Sequence, residues 1–120
     1  MNIIKSSAYM NLNTTGTSSL ETECLFGEMV EILDEHLDWV YCKLITDNYC
    51  GWIKKNNLGQ LKKATHRVII NRTFLYKDTN AKSDALFYLP MGSQLAIKKI
   101  KSGWAETYFF LEDKIQVGYV

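Results

Sequence analysis

Five residues are of the types that ligate metals or attack carbonyl groups: Cys24, Cys42, Cys50, His36 and His66. A thiolate beside a histidine is the machinery of covalent acyl transfer, and closely spaced thiols and imidazoles make zinc sites. The spacing here suits neither. The chain has no Cys-x-x-Cys and no His-x₃-His pattern. Cys24 precedes Leu-Phe-Gly, Cys42 falls inside an alternating run, and Cys50 precedes Gly-Trp. None stands at a helix start, where the terminal dipole would favour the thiolate. The cysteines therefore read as free thiols. His36, among acids in "DEHLD", reads as solvated. His66 reads as a junction residue, with an interdomain hydrogen bond as its expected work and a substrate contact as the alternative. No catalytic residue, metal site or cofactor is expected.

Binding chemistry is more legible. Asp47, Tyr49 and Trp52 lie within "TDNYCGW". Aromatic rings beside a carboxylate can hold a peptide amine. The competing reading is a tight hairpin closed by Asp47 and Asn48. With His66 and Arg67 at the junction, these three are the candidate binding residues. Trp39 and Trp104 read as core or rim elements, because large rings usually serve packing first. The lysine runs "KKIK" and "KKAT" read as solvated faces and not as a nucleic-acid surface, since no aromatic motif is interleaved with them.

The elements that must position these residues are strands. "WVYCKL" puts Val40, Cys42 and Leu44 on one face, and "MVEIL" and "LAIKKI" alternate roughly in and out. The runs are short and rich in strand formers. Turn signals interrupt them at "NTTGTSS", "DEHLD", "TDN", "KKNN", "KDTNAKSD" and "KSG", with a 3₁₀ turn expected at "KKNN". No segment sustains a helical period. Short strands at this turn spacing indicate a small barrel or sandwich.

A repeat sharpens that reading. A shift of 65 residues places Leu25 on Pro90, Gly27 on Gly92, Val30 on Leu95, Ile32 on Ile97 and Trp39 on Trp104. Gly51-Trp52 then answers to Gly118-Tyr119. Internal similarity of this length means two copies of one supersecondary unit. In each copy the first glycine opens a tight turn, and the glycine before the later aromatic lets two backbones approach. The expected fold is all-β, two tandem SH3-like barrels over residues 1–62 and 63–120. The second copy stops soon after Gly118-Tyr119, without a match for "KKNNLGQL". It is expected to lack its closing strand and to leave an open edge beside "RVIIN". Such an edge invites an edge-strand homodimer or pairing with a downstream segment.

Composition sets the outer limits. The chain has 120 residues, 47% of them hydrophobic, which excludes disorder. No apolar run approaches the ~18 residues of a membrane helix, and no signal segment opens the chain. With an odd number of cysteines, this predicts a cytoplasmic, reducing setting; a mature periplasmic or secreted fragment would read alike. The net charge of +1 conceals a split: residues 1–60 carry −4 and residues 61–120 carry +5. Opposite halves can attract each other or face different partners, and the split can equally carry no meaning, since surface charge drifts easily.

Several motifs together resemble a known family. "ETECLFGEMVEIL", "DWVYCKL" and "DNYCGWI" are similar to a bacterial SH3 (SH3b) domain. "ATHRVIINRTFLYKDTNAKSDALFYLPMGSQLAI" resembles the second SH3b domain that precedes NlpC-type catalytic domains, notably of alphaproteobacterial type. The carrying residues are Leu25-Phe26-Gly27-Glu28, Asp47 to Trp52 and Thr65-His66-Arg67-Val68. Glu23 departs from the family's usual glutamine. The resemblance implies the noncatalytic part of a cell-wall cysteine peptidase, a γ-D-glutamyl–diamino acid endopeptidase. Its partners would be peptidoglycan stem peptides or muropeptides and a C-terminal catalytic domain outside this chain. No Asp-Cys-Ser-Gly motif is present, so the chain alone is not expected to hydrolyse anything. The alternative is a stand-alone SH3b module for wall fragments or a protein partner. "GWIKKNNL" also resembles the end of eukaryotic SH3 domains, but Lys54 and Asn57 stand where proline and tyrosine would, which argues against proline-motif binding.

Overall fold

The computed structural model describes residues 1–14, 20–80, 82 and 84–120. The part of the "NTTGTSS" turn beyond Thr14, and Ala81 and Ser83 of "KDTNAKSD", lie outside them. The chain forms fourteen strands among the described residues. In the first half these are β1 (Asn2–Ile3), β2 (Ser7–Asn11), β3 (Leu20–Leu25), β4 (Val30–His36), β5 (Trp39–Leu44), β6 (Cys50–Lys54) and β7 (Leu58–Gly59). In the second they are β8 (His66–Arg67), β9 (Arg72–Tyr76), β10 (Ala85–Pro90), β11 (Gln94–Leu95), β12 (Ile97–Lys101), β13 (Trp104–Leu111) and β14 (Lys114–Tyr119). A 3₁₀ turn at Lys55–Asn57, as the sequence predicts, leads into β7.

Two five-stranded antiparallel sheets result, in the orders β3-β2-β6-β5-β4 and β10-β9-β14-β13-β12. The fold is all-β, with two barrel-like sheets. The 65-residue shift reappears in the pairing. Asn2 bridges Met29 as Arg67 pairs with Gln94. Ile3 N–H donates to Glu28 O as Val68 N–H donates to Ser93 O, both at 2.9 Å.

Each sheet encloses its own core. Val40, Cys42 and Leu44 alternate inward along β5 and meet Ile3, Met10 and Ile53. Gly51 allows β6 to lie against β2, for a β-carbon there would fall 2.9 Å from the Asn11 carbonyl oxygen and overlap the Met10 side chain. The second core gathers Val68, Leu75, Leu89, Leu95 and Phe109.

One sequence expectation fails locally. In β4 and β12 the in-and-out alternation does not hold: Val30 is buried but Ile32 is exposed, and Ile97 is half-buried while the rest of β12 is exposed. Both strands lie at sheet edges, and both ladders carry a register irregularity, between Ile32 and Asp34 and between Ile97 and Lys99. A bulge breaks the period of two, and an edge strand has only one covered end. The salt bridges do not cross between the oppositely charged halves. Among the described residues the ion pairs are Lys43–Glu31, Lys55–Glu35 and Lys99–Glu106, each within its own half.

The halves are joined by an apolar side chain, by backbone and by a serine hydroxyl. Phe26, from the turn after β3, is buried in the second core, with its ring 5.6 Å from Phe87. Gln94 N–H donates to Phe26 O at 2.8 Å, and the Ser6 hydroxyl donates to Tyr88 O at 2.6 Å. Asn2 is buried behind this turn; its Nδ2 donates to Gly27 O and its Oδ1 accepts from Leu61 N–H.

Candidate functional site

The candidate residues read from sequence do not form one site. Asp47 and Tyr49 lie in the β5–β6 turn. Asp47 Oδ1 accepts the Tyr49 N–H at 3.1 Å, and Asn48 takes φ +64°. The carboxylate therefore works as a turn former, the simpler of the two readings. Trp52 lies two ladder pairs further along, opposite Tyr41, and its ring packs 5.1 Å from Tyr41 and edge-on to His36. His66 and Arg67 form β8, which pairs with β11 in a separate two-stranded sheet of the second half. The expected interdomain bond of His66 is not made: its Nδ1 meets the hydroxyl of its own neighbour Thr65 at 2.8 Å, and the ring is exposed. A side chain at an open strand edge satisfies itself locally when nothing packs over it.

Two of the three cysteines are core residues. Cys24 and Cys42 are fully buried on strands. Burial, helped by the Glu28 carboxylate, pushes the Cys24 thiol up to about 12, and burial pushes Cys42 up to about 11. Both hold their protons at neutral pH, opposite to what a nucleophile needs. Among the described residues no three His, Cys, Asp or Glu side chains come together as a metal set.

A better-formed site lies where the sequence reading placed only packing. A cleft of about 420 Å³ opens beside Trp104, lined also by Glu106, Tyr119, Lys99, Lys101 and Thr79. It is built by three adjacent strands. Trp104 and Glu106 sit two apart on β13 and so face the same side. Tyr119 pairs across from Glu106 on β14, and β12 places Lys99 opposite Glu106 and Lys101 opposite Trp104. Tyr76 on β9 props the tryptophan, edge to face at 5.8 Å.

The electrostatics centre on Glu106. Its side chain is only 12% exposed. Tyr119 donates its hydroxyl to Oε1 at 3.3 Å. Burial and the neighbouring carboxylate push that hydroxyl's pKa upward, so it remains a donor. Oε2 is buried and has no hydrogen-bond partner among the described residues; Lys99 Nζ stands 4.0 Å away. A buried, half-satisfied carboxylate is costly, and Lys99 supplies the neighbouring positive charge that offsets part of that cost. The cleft thus offers an acidic group, a phenol, an aromatic wall and two lysines, a set that suits a small ligand carrying both an amine and a carboxylate.

The same surface exists in the first half with its chemistry altered. Trp39 corresponds to Trp104, Tyr41 to Glu106 and Trp52 to Tyr119. There Lys54 stacks over Trp39 at 5.5 Å, and Tyr41 and Trp52 fill the space between. The signal for the second-half cleft was present in the repeat: at the position where the first copy has Tyr41, the second has a glutamate two residues beyond its tryptophan.

With this geometry in place, comparison with known proteins is informative for the first half. Residues 14–58 match the model of the bacterial dipeptidyl-peptidase SH3 domain. The match runs from before β3 to the start of β7. A search of curated proteins returned no match.

Proposed function

We propose, from the bacterial dipeptidyl-peptidase SH3 match, that this chain is the noncatalytic, SH3b-type portion of a cell-wall cysteine peptidase of the NlpC kind. It consists of two tandem domains, residues 1–62 and 63–120, that hold or restrict a peptidoglycan stem peptide. The single observation that supports this is the family match at residues 14–58, because SH3 domains of that description accompany bacterial peptidases. The Trp104 cleft supplies a chemical reason. A stem peptide carries a diamino acid with a free amine beside carboxylates. The amine suits Glu106 and Tyr119, and the carboxylates suit Lys99 and Lys101. Cleavage itself belongs to a catalytic domain outside this chain. Cys24 and Cys42 are buried thiols on strands, and Cys50 sits at a strand start behind a hairpin turn.

The test is a titration of the chain with a γ-glutamyl–diamino acid tripeptide, followed by the indole signal of Trp104. The expected result is a saturable shift whose affinity drops about tenfold in Glu106→Gln, the loss of one charge-assisted bond. The neutral amide preserves the shape of the side chain, so folding is retained. Saturable binding centred on Trp52 and Tyr49 would move the site to the first domain. No response at millimolar peptide would remove the stem-peptide reading.

A further inference from the structure

The charge split between the halves is concentrated on one pair of matching strands. β4 carries Glu31, Asp34 and Glu35 and no lysine or arginine, whereas β12 carries Lys98, Lys99 and Lys101 and no acid. The 65-residue shift lays Asp34 on Lys99, Glu35 on Ile100 and His36 on Lys101. Each strand is the outermost of its sheet, beside β5 and β13 respectively. Equivalent edges of the two barrels therefore hold opposite charge. Among the described residues no ion pair joins these edges, and Asp34, Lys98 and Lys101 form none at all.

The backbone of these edges is open too. Ala105 exchanges both of its backbone hydrogen bonds with Val120, at 2.9 and 3.0 Å. Ile100 lies opposite Ala105, so its own N–H and carbonyl turn away from β13. Its side chain is 65% exposed. Glu35, the matching residue of β4, has its N–H covered by Asp34 Oδ1 at 2.8 Å, which leaves its carbonyl as the acceptor on that edge. Leu33 beside it is exposed. This openness does not come from an end of the chain. β7, which follows β6 in the first barrel, pairs with β1 and not with β4. Thr65, which precedes the second barrel, reaches β12 only at Ile97, whose N–H its hydroxyl accepts at 3.0 Å. The segments that flank each repeat therefore stop short of residues 33–36 and 98–101.

We infer that this chain associates with further copies of itself head to tail, residues 33–36 of one copy lying along residues 98–101 of the next. Charge on an edge strand ordinarily blunts it, because like edges repel. That holds here for β4 against β4 and for β12 against β12. A chain protected from its own copies would carry one sign on both edges. This chain carries two, so the pairing that the charges favour is β4 with β12. The carboxylates meet the lysines, Leu33 and Ile100 give up exposed surface, and the Ile100 N–H gains the Glu35 carbonyl. Each copy has one edge of each kind, so the contact is heterologous and adds copies in series. Two short strands make a small interface, so association is weak and sensitive to salt. The inference does not depend on a stem peptide entering the Trp104 cleft.

The test is sedimentation of the full chain over a range of concentrations. At low salt the weight-average mass should rise with concentration. In about 1 M salt, where charges are screened within ~3 Å, it should return to that of one chain. Lys98→Glu and Asp34→Lys should each hold the mass at one chain. Ile100→Pro should do the same by removing one outward N–H, a change that an edge strand tolerates. Thermal melts check that the variants fold, and Lys98→Glu, at an exposed position, keeps the test valid should the proline variant melt early. An equimolar mixture of Asp34→Lys, which keeps β12, and Ile100→Pro, which keeps β4, should form pairs and nothing larger. A mass that stays at one chain up to about 1 mM would overturn the proposal. So would association unchanged by salt or by Lys98→Glu. Loss of association in variants of one edge alone would show that this edge pairs with itself, and would overturn it as well.

Discussion

Gly27 lies so close beneath the backbone of Gln94 that a β-carbon on Gly27 would overlap the Gln94 carbonyl oxygen. The two residues belong to different barrels, and Gly27 also holds φ +83°. Two costs therefore combine in Gly27→Ala: a left-handed backbone on a residue with a side chain, and separation of the turn from its neighbour. We expect a loss of roughly 2–4 kcal/mol in denaturant unfolding, above the ~1–3 kcal/mol of the strained backbone alone. The Gln94 amide signal should shift. A loss below about 1 kcal/mol would mean that the barrels separate easily at this turn.

Phe26 belongs to the first half by sequence and to the second by packing. Phe26→Ala should cost about 3–5 kcal/mol, the usual range for a fully buried phenylalanine. Hydrogen exchange locates the damage. Amides of Leu75, Leu89 and Phe109 should lose more protection than those of Met10 and Val40. Equal loss in both cores would show that the two barrels unfold as one unit.

Leu37 occupies the β4–β5 hairpin at φ +53° and is 81% exposed. The matching position in the second copy is Ser102, at φ +54° and followed by Gly103 at φ +80°. A leucine gains nothing there and pays for its backbone. Leu37→Asn should raise stability by about 1 kcal/mol, since asparagine tolerates this region. A thermal melt of the single variant is sufficient, and an unchanged or lower melting temperature would contradict it.

The buried thiols make alkaline pH destabilising. The ordinary thiol value is 9.0, and burial raises Cys24 to about 12 and Cys42 to about 11. Above pH 9 the unfolded chain releases protons that the folded chain keeps. Their contribution is therefore complete below pH 9 and is lost as pH rises towards 11 and 12. Denaturation curves collected across that window should show stability falling with pH. The slope should be reduced in Cys24→Ala, measured against its own stability at pH 7. In a thiol-labelling experiment at pH 8, Cys50, which is only half-buried, should react before the other two.

Much of the architecture can be read from local chemistry. Gly27 and Gly92 mark turns that need positive φ, and Gly51 and Gly118 mark crossings where a side chain would meet the neighbouring strand. The alternation of Val40, Cys42 and Leu44 fixes which face of β5 is inward, because residues two apart on a strand share a side. Periodicity and turn chemistry depend on neighbours in the chain, so the sequence displays them. The edge strands β4 and β12 were less legible. Their bulges are set by how each ladder meets its partner.

The Trp104 cleft and the destination of Phe26 were decided by tertiary structure. Lys99, Glu106 and Tyr119 become neighbours only when β12, β13 and β14 align, and the unsatisfied Glu106 oxygen follows from the burial this produces. Asp47, Tyr49, Trp52, His66 and Arg67 looked comparable as residue types, yet they lie in separate parts of the fold. Phe26 is apolar and sits beside a turn, which says it will be buried but not in which core. The sequence alone determined two copies of one all-β unit. The three-dimensional register decided which side chains meet, because cross-strand contacts join residues that the chain itself keeps apart.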